Sequence, residues 1–315
     1  MGDSVTSPLS GASLDSLLAR RRPVLLDGAT GTELARRGVD TTLPLWSARA
    51  LFDDRGLETL MKIHEDYARA GAEILVTNTF RTTARILERA GRSGSWREAN
   101  RRAVECARAG SQASVGAGRV CLVAGGLAPL EDCYRPDLVP AREECLREHR
   151  PQAELLASLG VDLIIIETMN SLREAEAALQ AARETGLPVL LSLCPRPSHH
   201  LLSGEPLETA LPRLAASGGD ALRGVLLNCA TPEALEQIFP RFAPLAPTVP
   251  HGLYAHLGEP DDVTGWRMPE RHEPGAYAVW MEKRIDEGAR FVGGCCGTTP
   301  DHIAAIAERV GRLPG

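Results

Sequence analysis

The sequence predicts a (β/α)8 barrel, and three observations carry that expectation. Apolar, strand-sized runs recur eight times along the chain. Helix-sized amphipathic stretches separate them, and four helix-to-strand junctions share one grammar: a helical stretch, a glycine, one or two residues, then a β-branched or leucine-rich run. Finally, the helix-to-strand loops are short, whereas several strand-to-helix segments are long. Such alternation builds a parallel sheet covered by helices. A doubly wound open sheet is the alternative that the same alternation allows.

In order, the strands are expected near 23–27 (PVLLD), 74–78 (ILVTN), 120–126 (VCLVAGG), 162–168 (DLIIIET), 188–193 (PVLLSL), 224–229 (GVLLNC), 249–255 (VPHGLYA) and 290–295. The four junctions are "EDYARAGAEILVTNT", "ELLASLGVDLIIIET", "AARETGLPVLLSLC" and "RIDEGARFVGGCC". In each, the glycine suits a left-handed helix cap and the following run suits a strand buried on both faces. Helical spacing places Leu60, Ile63, Tyr67 and Ala70 on one face of 57–70, and Leu172, Ala175, Leu179 and Ala182 on one face of 172–184. A last helix is expected over 300–311, opened by Pro300, with Ile303, Ile306 and Val310 inward. Residues 1–12 read as a loose tail and 13–315 as a single barrel domain. The glycines of "DGATGTEL", Gly28 and Gly31, read as requirements of a tight turn.

Composition narrows the function classes. A net charge of -6 gives no basic footprint for nucleic acid, and Lys62 and Lys283 are the only lysines. Arginine runs such as "LARRRP" read as solvated helix faces. No window approaches the ~18 uninterrupted apolar residues of a membrane span. The N-terminal segment lacks the apolar core of a secretory signal, which predicts a cytoplasmic protein, and the myristoylation-like "MGDSVT" is too short and common a pattern to count. Eight cysteines in 315 residues are no dense disulfide framework, so most are expected as core filler. Barrel enzymes often pair, and a homo-oligomer stays open.

In a barrel the strand C-termini share one mouth, where such folds place their chemistry. That mouth collects Asp27, Asn78, Glu167, Ser192, Cys229, the segment 254–256, and the adjacent Cys295 and Cys296. Strands six and eight stand two apart, so three sulfurs come within reach of one ion. Three thiolates with a fourth position open suit a catalytic Zn2+. Core packing remains the plain alternative for each cysteine, and redox pairing of neighbours is disfavoured by the strain of such a disulfide. The marks of other chemistries, namely GxGxxG, a lysine-bearing phosphate loop, HExxH and GxSxG, are missing.

The segments "LLDGATGTELARRG", "EILVTNTF", "DLIIIETMNSLREAEAAL", "LLNCATPEAL" and "FVGGCCGTTPDHI" resemble, in order, the motifs of the homocysteine S-methyltransferase family. The resemblance runs from about residue 22 to 312, and its most specific part is GGCCGTTP. It implies a zinc-bearing barrel with Cys229, Cys295 and Cys296 as metal ligands and Asp27 and Glu167 where the homocysteine ammonium is held. It also puts Asn78 and Ser192 at pocket-lining strand ends. The implied reaction moves a methyl group from a small sulfonium donor, S-methylmethionine or S-adenosylmethionine, to homocysteine, giving methionine.

Two departures from the family pattern stand out. The chain reads "YAH" at 254–256 where many members read "YPN", which makes His256 a candidate fourth ligand, against the plainer reading of a pocket-wall histidine. The loop "AGGLAPLEDCYRPD" replaces the commoner "GPYGAYL" type on the donor side, and its Cys133 is a further candidate thiol near the mouth, against the plainer reading of a solvent-side cysteine. Trp266, in the long loop 255–274, reads as a loop anchor. A zinc-dependent hydrolase or lyase on the same barrel, with Glu167 as base, and a non-catalytic thiol- or metal-binding protein are the alternatives.

Overall fold

All eight apolar runs form parallel strands: β1 (Val24–Leu25), β2 (Ile74–Val76), β3 (Leu122–Leu127), β4 (Leu163–Met169), β5 (Val189–Leu193), β6 (Leu222–Asn228), β7 (His251–Tyr254) and β8 (Phe291–Val292). The computed structural model describes residues 13–115, 119–268 and 273–312. The expected tail, 1–12, lies outside them. Around the sheet the order is β1-β8-β7-β6-β5-β4-β3-β2. A parallel bridge between Leu26 and Ile74 closes the ring, with Asp27 N donating to Ile74 O at 3.0 Å and Glu73 N to Leu25 O at 2.7 Å. The fold is the (β/α)8 barrel, and the open-sheet alternative falls with that closure.

Strand alternation sorts the apolar residues into two cores. Val24, Leu26, Leu122, Ala124, Leu163, Ile165, Leu190 and Leu226 pack together inside the ring. Their neighbours Leu25, Val123, Ile164, Ile166, Leu191 and Leu227 pack outward against the helices. Phe291 fills part of the interior, and the glycines opposite make room for it. A Cβ on Gly224 would come within 2.6 Å of its ring, and one on Gly252 within 2.1 Å of its carbonyl. At the N-terminal end, helix Leu14–Leu18 adds Leu14 and Leu17 to the inner core. Arg290 donates to the carbonyls of Leu18 (2.9 Å) and Arg20 (2.6 Å) and so ties that helix to β8.

The junction glycines behave as their grammar requires. Gly71, Gly160, Gly186 and Gly288 all have positive φ, between 77° and 112°, just past the ends of their helices. The helix faces agree as well: Leu60, Ile63 and Tyr67 are buried in Asp54–Ala70, and Leu172, Ala175, Leu179 and Ala182 in Leu172–Arg183. Gly28 and Gly31 correct the expectation. Neither has positive φ, and what they supply is close approach, since a Cβ on Gly28 would meet Tyr67 and Thr298 at 2.8 Å and one on Gly31 would meet Trp46 at 2.5 Å.

The ladders of β1, β2, β6, β7 and β8 end one to three residues before the expected C-termini, whereas β3 and β4 run one residue past them and β5 ends at 193 as expected. Two antiparallel hairpins went unread in the sequence, Pro195–Arg196 with His200–Leu201 and Glu259–Asp261 with Gly265–Arg267. The second projects over the barrel mouth. Among the described residues no helix is long and apolar enough to cross a membrane.

Candidate functional site

Cys229 directly follows β6 and takes φ +54°, a left-handed conformation unusual for a residue with a side chain. Its sulfur lies 3.6 Å from that of Cys295, past the end of β8. The β8 turn is clamped on several sides. Cys295 N donates to Ala255 O (2.9 Å), Leu257 N to Cys296 O (2.7 Å) and Gly297 N to Thr32 Oγ1 (2.9 Å). Gly297 has φ +84°, and a Cβ there would sit 2.1 Å from Leu257 O, so only glycine fits. Thr298 joins this turn to the β1 loop, its Oγ1 donating to Cys295 O (2.8 Å) and accepting from Ala29 N (3.2 Å).

The neighbouring thiols of Cys133, Cys295 and Cys296 hold the Cys229 thiol well below the usual range, Cys133 contributing most. Cys229 pushes the Cys133 and Cys296 thiols up in turn. Among the described residues no three His, Cys, Asp or Glu side chains already stand in the arrangement of a bound ion. The sulfurs are turned toward one another instead. The donor set still fits zinc: two thiolates at 2.3 Å in a tetrahedron stand about 3.8 Å apart, close to the 3.6 Å between Cys229 and Cys295.

Two carboxyls face the same cleft. Asp27 is buried and its Oδ2 accepts from Val76 N at 2.9 Å. Burial raises its carboxyl to about 8, against that hydrogen bond. Glu167 is likewise raised to about 8, by burial first and then by the charges of Asp27 and Cys229. Gly126 leaves space for it, since a Cβ there would lie 2.8 Å from Glu167 Oε1. Two neighbouring carboxyls short of solvent favour a cation between them.

The remaining expected residues divide. Asn78 lines the cleft and donates to Ser47 O at 2.9 Å. Ser192 does not line it, which corrects the expectation. Its Oγ donates to Asn228 Oδ1 (2.8 Å), whose amide donates to Thr168 Oγ1 (2.8 Å), so it buttresses the wall from one layer below. The reason is parity: Ser192 points inward, but β5 continues one residue beyond it before leaving the ladder. His256 is buried off the cleft wall, edge-on to Trp266 at 4.9 Å between ring centres, with its side chain hydrogen-bonded to Cys229.

Further residues complete the wall, and of these the sequence marks only Cys133 as a candidate for the mouth. Cys133 is buried in the cleft and not on the solvent side, because Asn170 Nδ2 donates to its carbonyl at 2.9 Å and draws the loop inward. Beside it, the Tyr134 hydroxyl donates to Cys229 Sγ at 3.4 Å. Thr168, like Cys229, has positive φ (62°) at the mouth, within an irregular stretch of the β4–β5 pairing. Trp46 and Phe80 meet edge-on at 5.8 Å on another side. Trp266 is anchored by Nε1 donating to Leu257 O (2.9 Å), and it lines the cleft as well. Adjacency to Cys133 in "EDCYRPD" is the available signal for Tyr134; aromatic residues in long loops carry no spacing cue.

Comparison with known proteins places this geometry. Residues 24–310 match the family model described as homocysteine S-methyltransferase. The chain is 32% identical to the homocysteine S-methyltransferase of Escherichia coli, over 94% of this chain and 98% of that protein. It is 27% identical to a selenocysteine methyltransferase of Astragalus bisulcatus, over 93% and 94%. Among solved structures, the metallated form of the homocysteine methyltransferase MmuM from E. coli superposes with a TM-score of 0.80 at 29% identity, covering 94% of this chain and 99% of that one. Its oxidized form gives 0.82 at 29% identity, covering 95% and 100%.

Proposed function

Because the chain belongs to the homocysteine S-methyltransferase family, we propose that its methyl transfer to homocysteine, giving methionine, uses a zinc ion held by Cys229, Cys295 and Cys296 and a sulfonium donor. The observation that carries the zinc reading is the 3.6 Å approach of Cys229 to Cys295, with Cys296 next in the chain and lining the same cleft. Zinc, when bound, supplies the Lewis acidity that keeps a substrate thiol ionised at neutral pH, where a free thiol of pKa about 8.5 is only a few per cent thiolate.

The protein's own groups do the rest. Asp27 and Glu167 take the homocysteine ammonium, which lets both carboxyls ionise and fixes the amino acid with its thiol toward the cysteines. His256, bonded to Cys229 and packed on Trp266, orients that ligand. This reading replaces the fourth-ligand role and leaves that position for the substrate sulfur. Trp46, Phe80, Tyr134 and Trp266 wall the cleft and limit water. In that setting a thiolate and a sulfonium annihilate charge as the methyl group passes in line between two sulfurs.

A donor panel tests the proposal: purified, zinc-loaded protein with homocysteine and S-methylmethionine or S-adenosylmethionine, methionine being quantified. Methionine formed with a sulfonium donor supports it. Its absence with every sulfonium, in protein of full zinc content, overturns the donor assignment.

A further inference from the structure

Arg81 follows β2 on the cleft wall, its guanidinium carbon 5.8 Å from the centre of the Phe80 ring. Its Nε is buried and meets no acceptor, and among the described residues the side chain forms no ion pair. The contrast with nearby arginines is sharp. Arg85 is engaged by Glu131 (2.7 Å), Glu144 and Glu148, and Arg89 by Glu131 (2.5 Å). Five carboxylates line the cleft, Asp27, Asp132, Glu167, Asp261 and Asp262; Asp132 accepts from Tyr134 N (2.8 Å) and Asp261 from Thr264 N (2.7 Å) and Val263 N (3.0 Å), and among the described residues none of the five pairs with Arg81. Arg135 at the rim already pairs with Asp137 at 2.6 Å.

A buried guanidinium N–H without an acceptor is costly, and such groups in native proteins have a reason. The fork of a guanidinium matches a planar carboxylate. Both amino-acid substrates of the proposed reaction carry one. The deeper Asp27 and Glu167 define the homocysteine end. Arg81 stands instead on the side of the β3 loop, where its charge reaches the Cys133 thiol.

We propose that Arg81 binds the α-carboxylate of an amino-acid sulfonium donor, and so selects donors that carry this group over simple sulfonium ions. The inference rests on the sulfonium-donor reading above. Arg81 is a specificity residue in it: it touches the donor far from the transferring methyl group.

The test uses the zinc-loaded full chain at saturating homocysteine and two donors that differ only in the carboxylate, S-methylmethionine and (3-aminopropyl)dimethylsulfonium. Wild-type protein is expected to favour S-methylmethionine in kcat/KM by about 10- to 100-fold. Arg81→Gln should remove most of that preference by raising the S-methylmethionine KM, leaving the second donor within about twofold; Arg81→Lys, a point charge without the fork, should restore only part of it. Calorimetric binding of both donors should show the same loss without turnover. The proposal is overturned if wild type does not discriminate, if Arg81→Gln slows both donors equally, or if the homocysteine KM rises instead. Turnover of neither donor by wild type would count against the sulfonium reading itself, whereas turnover without discrimination counts against Arg81 alone.

Discussion

Cys229 and Cys295 bring their sulfurs to 3.6 Å although they follow strands β6 and β8, which β7 separates. Nothing local in the chain joins them. The barrel does, by bringing the C-terminal ends of its parallel strands to one mouth, with a left-handed Cys229 on one side and a glycine-held turn on the other.

Removing one sulfur should therefore abolish metal binding without unfolding the barrel. Cys296→Ser, with Cys296 at the cleft and partly exposed, is expected to lose bound zinc and methionine formation while keeping the wild-type circular dichroism spectrum. Elemental analysis showing full zinc in an inactive, folded variant would assign Cys296 another role.

The turn has its own requirement. Gly297→Ala places a methyl group 2.1 Å from Leu257 O at φ +84°. A cost of about 2 kcal/mol or more in stability is expected, together with weaker zinc retention, because Cys296 must shift. Chemical denaturation paired with zinc titration checks both, and an unchanged midpoint would show that the turn relaxes freely.

The two raised carboxyls predict a pH dependence with a definite sign. Burial holds Asp27 protonated up to about 8, against 3.8 when exposed. The unfolded chain thus releases this proton well before the folded chain does. In the substrate-free protein the stability contribution is present below about pH 4 and is lost as the pH rises toward 8. Asp27→Asn should flatten that decline and, by pH 8, exceed the wild type by on the order of 2–5 kcal/mol. It should also weaken homocysteine binding. Denaturation midpoints from pH 5 to 8 measure the first effect, and a wild-type curve that rises through this range would contradict it.

Tyr134 offers a milder probe. Tyr134→Phe deletes the hydroxyl that donates to Cys229 Sγ, and an uncharged hydrogen bond contributes about 1 kcal/mol. Zinc content should be unchanged and kcat reduced about fivefold. A variant that loses its zinc would show that the hydroxyl holds the metal site together.

The alternating apolar runs sufficed for the barrel because period-two burial and glycine helix caps are written locally. The parity that puts Leu163 and Ile165 inside also puts Glu167 at the mouth. What the sequence concealed depends on backbone leaving the ladder. Ser192 sits below the wall, since β5 continues through Leu193 before it leaves the ladder. Cys133 turns inward on a hydrogen bond from Asn170, 37 positions away in sequence. Trp266 reaches the cleft from a hairpin whose turn, at 261–265, carries no strong hairpin signature. Gly28 and Gly31 were legible as constrained, but the constraint is the approach of Tyr67, Thr298 and Trp46, which no local pattern encodes.

The central claim is that three cysteines hold a zinc ion whose remaining position takes the homocysteine sulfur, and X-ray absorption at the zinc edge tests it most directly. The account predicts about three sulfur neighbours at roughly 2.3 Å in the zinc-loaded protein, rising to four when homocysteine is added. A first shell that stays at three sulfurs with homocysteine bound, or one built from oxygen and nitrogen, would contradict it.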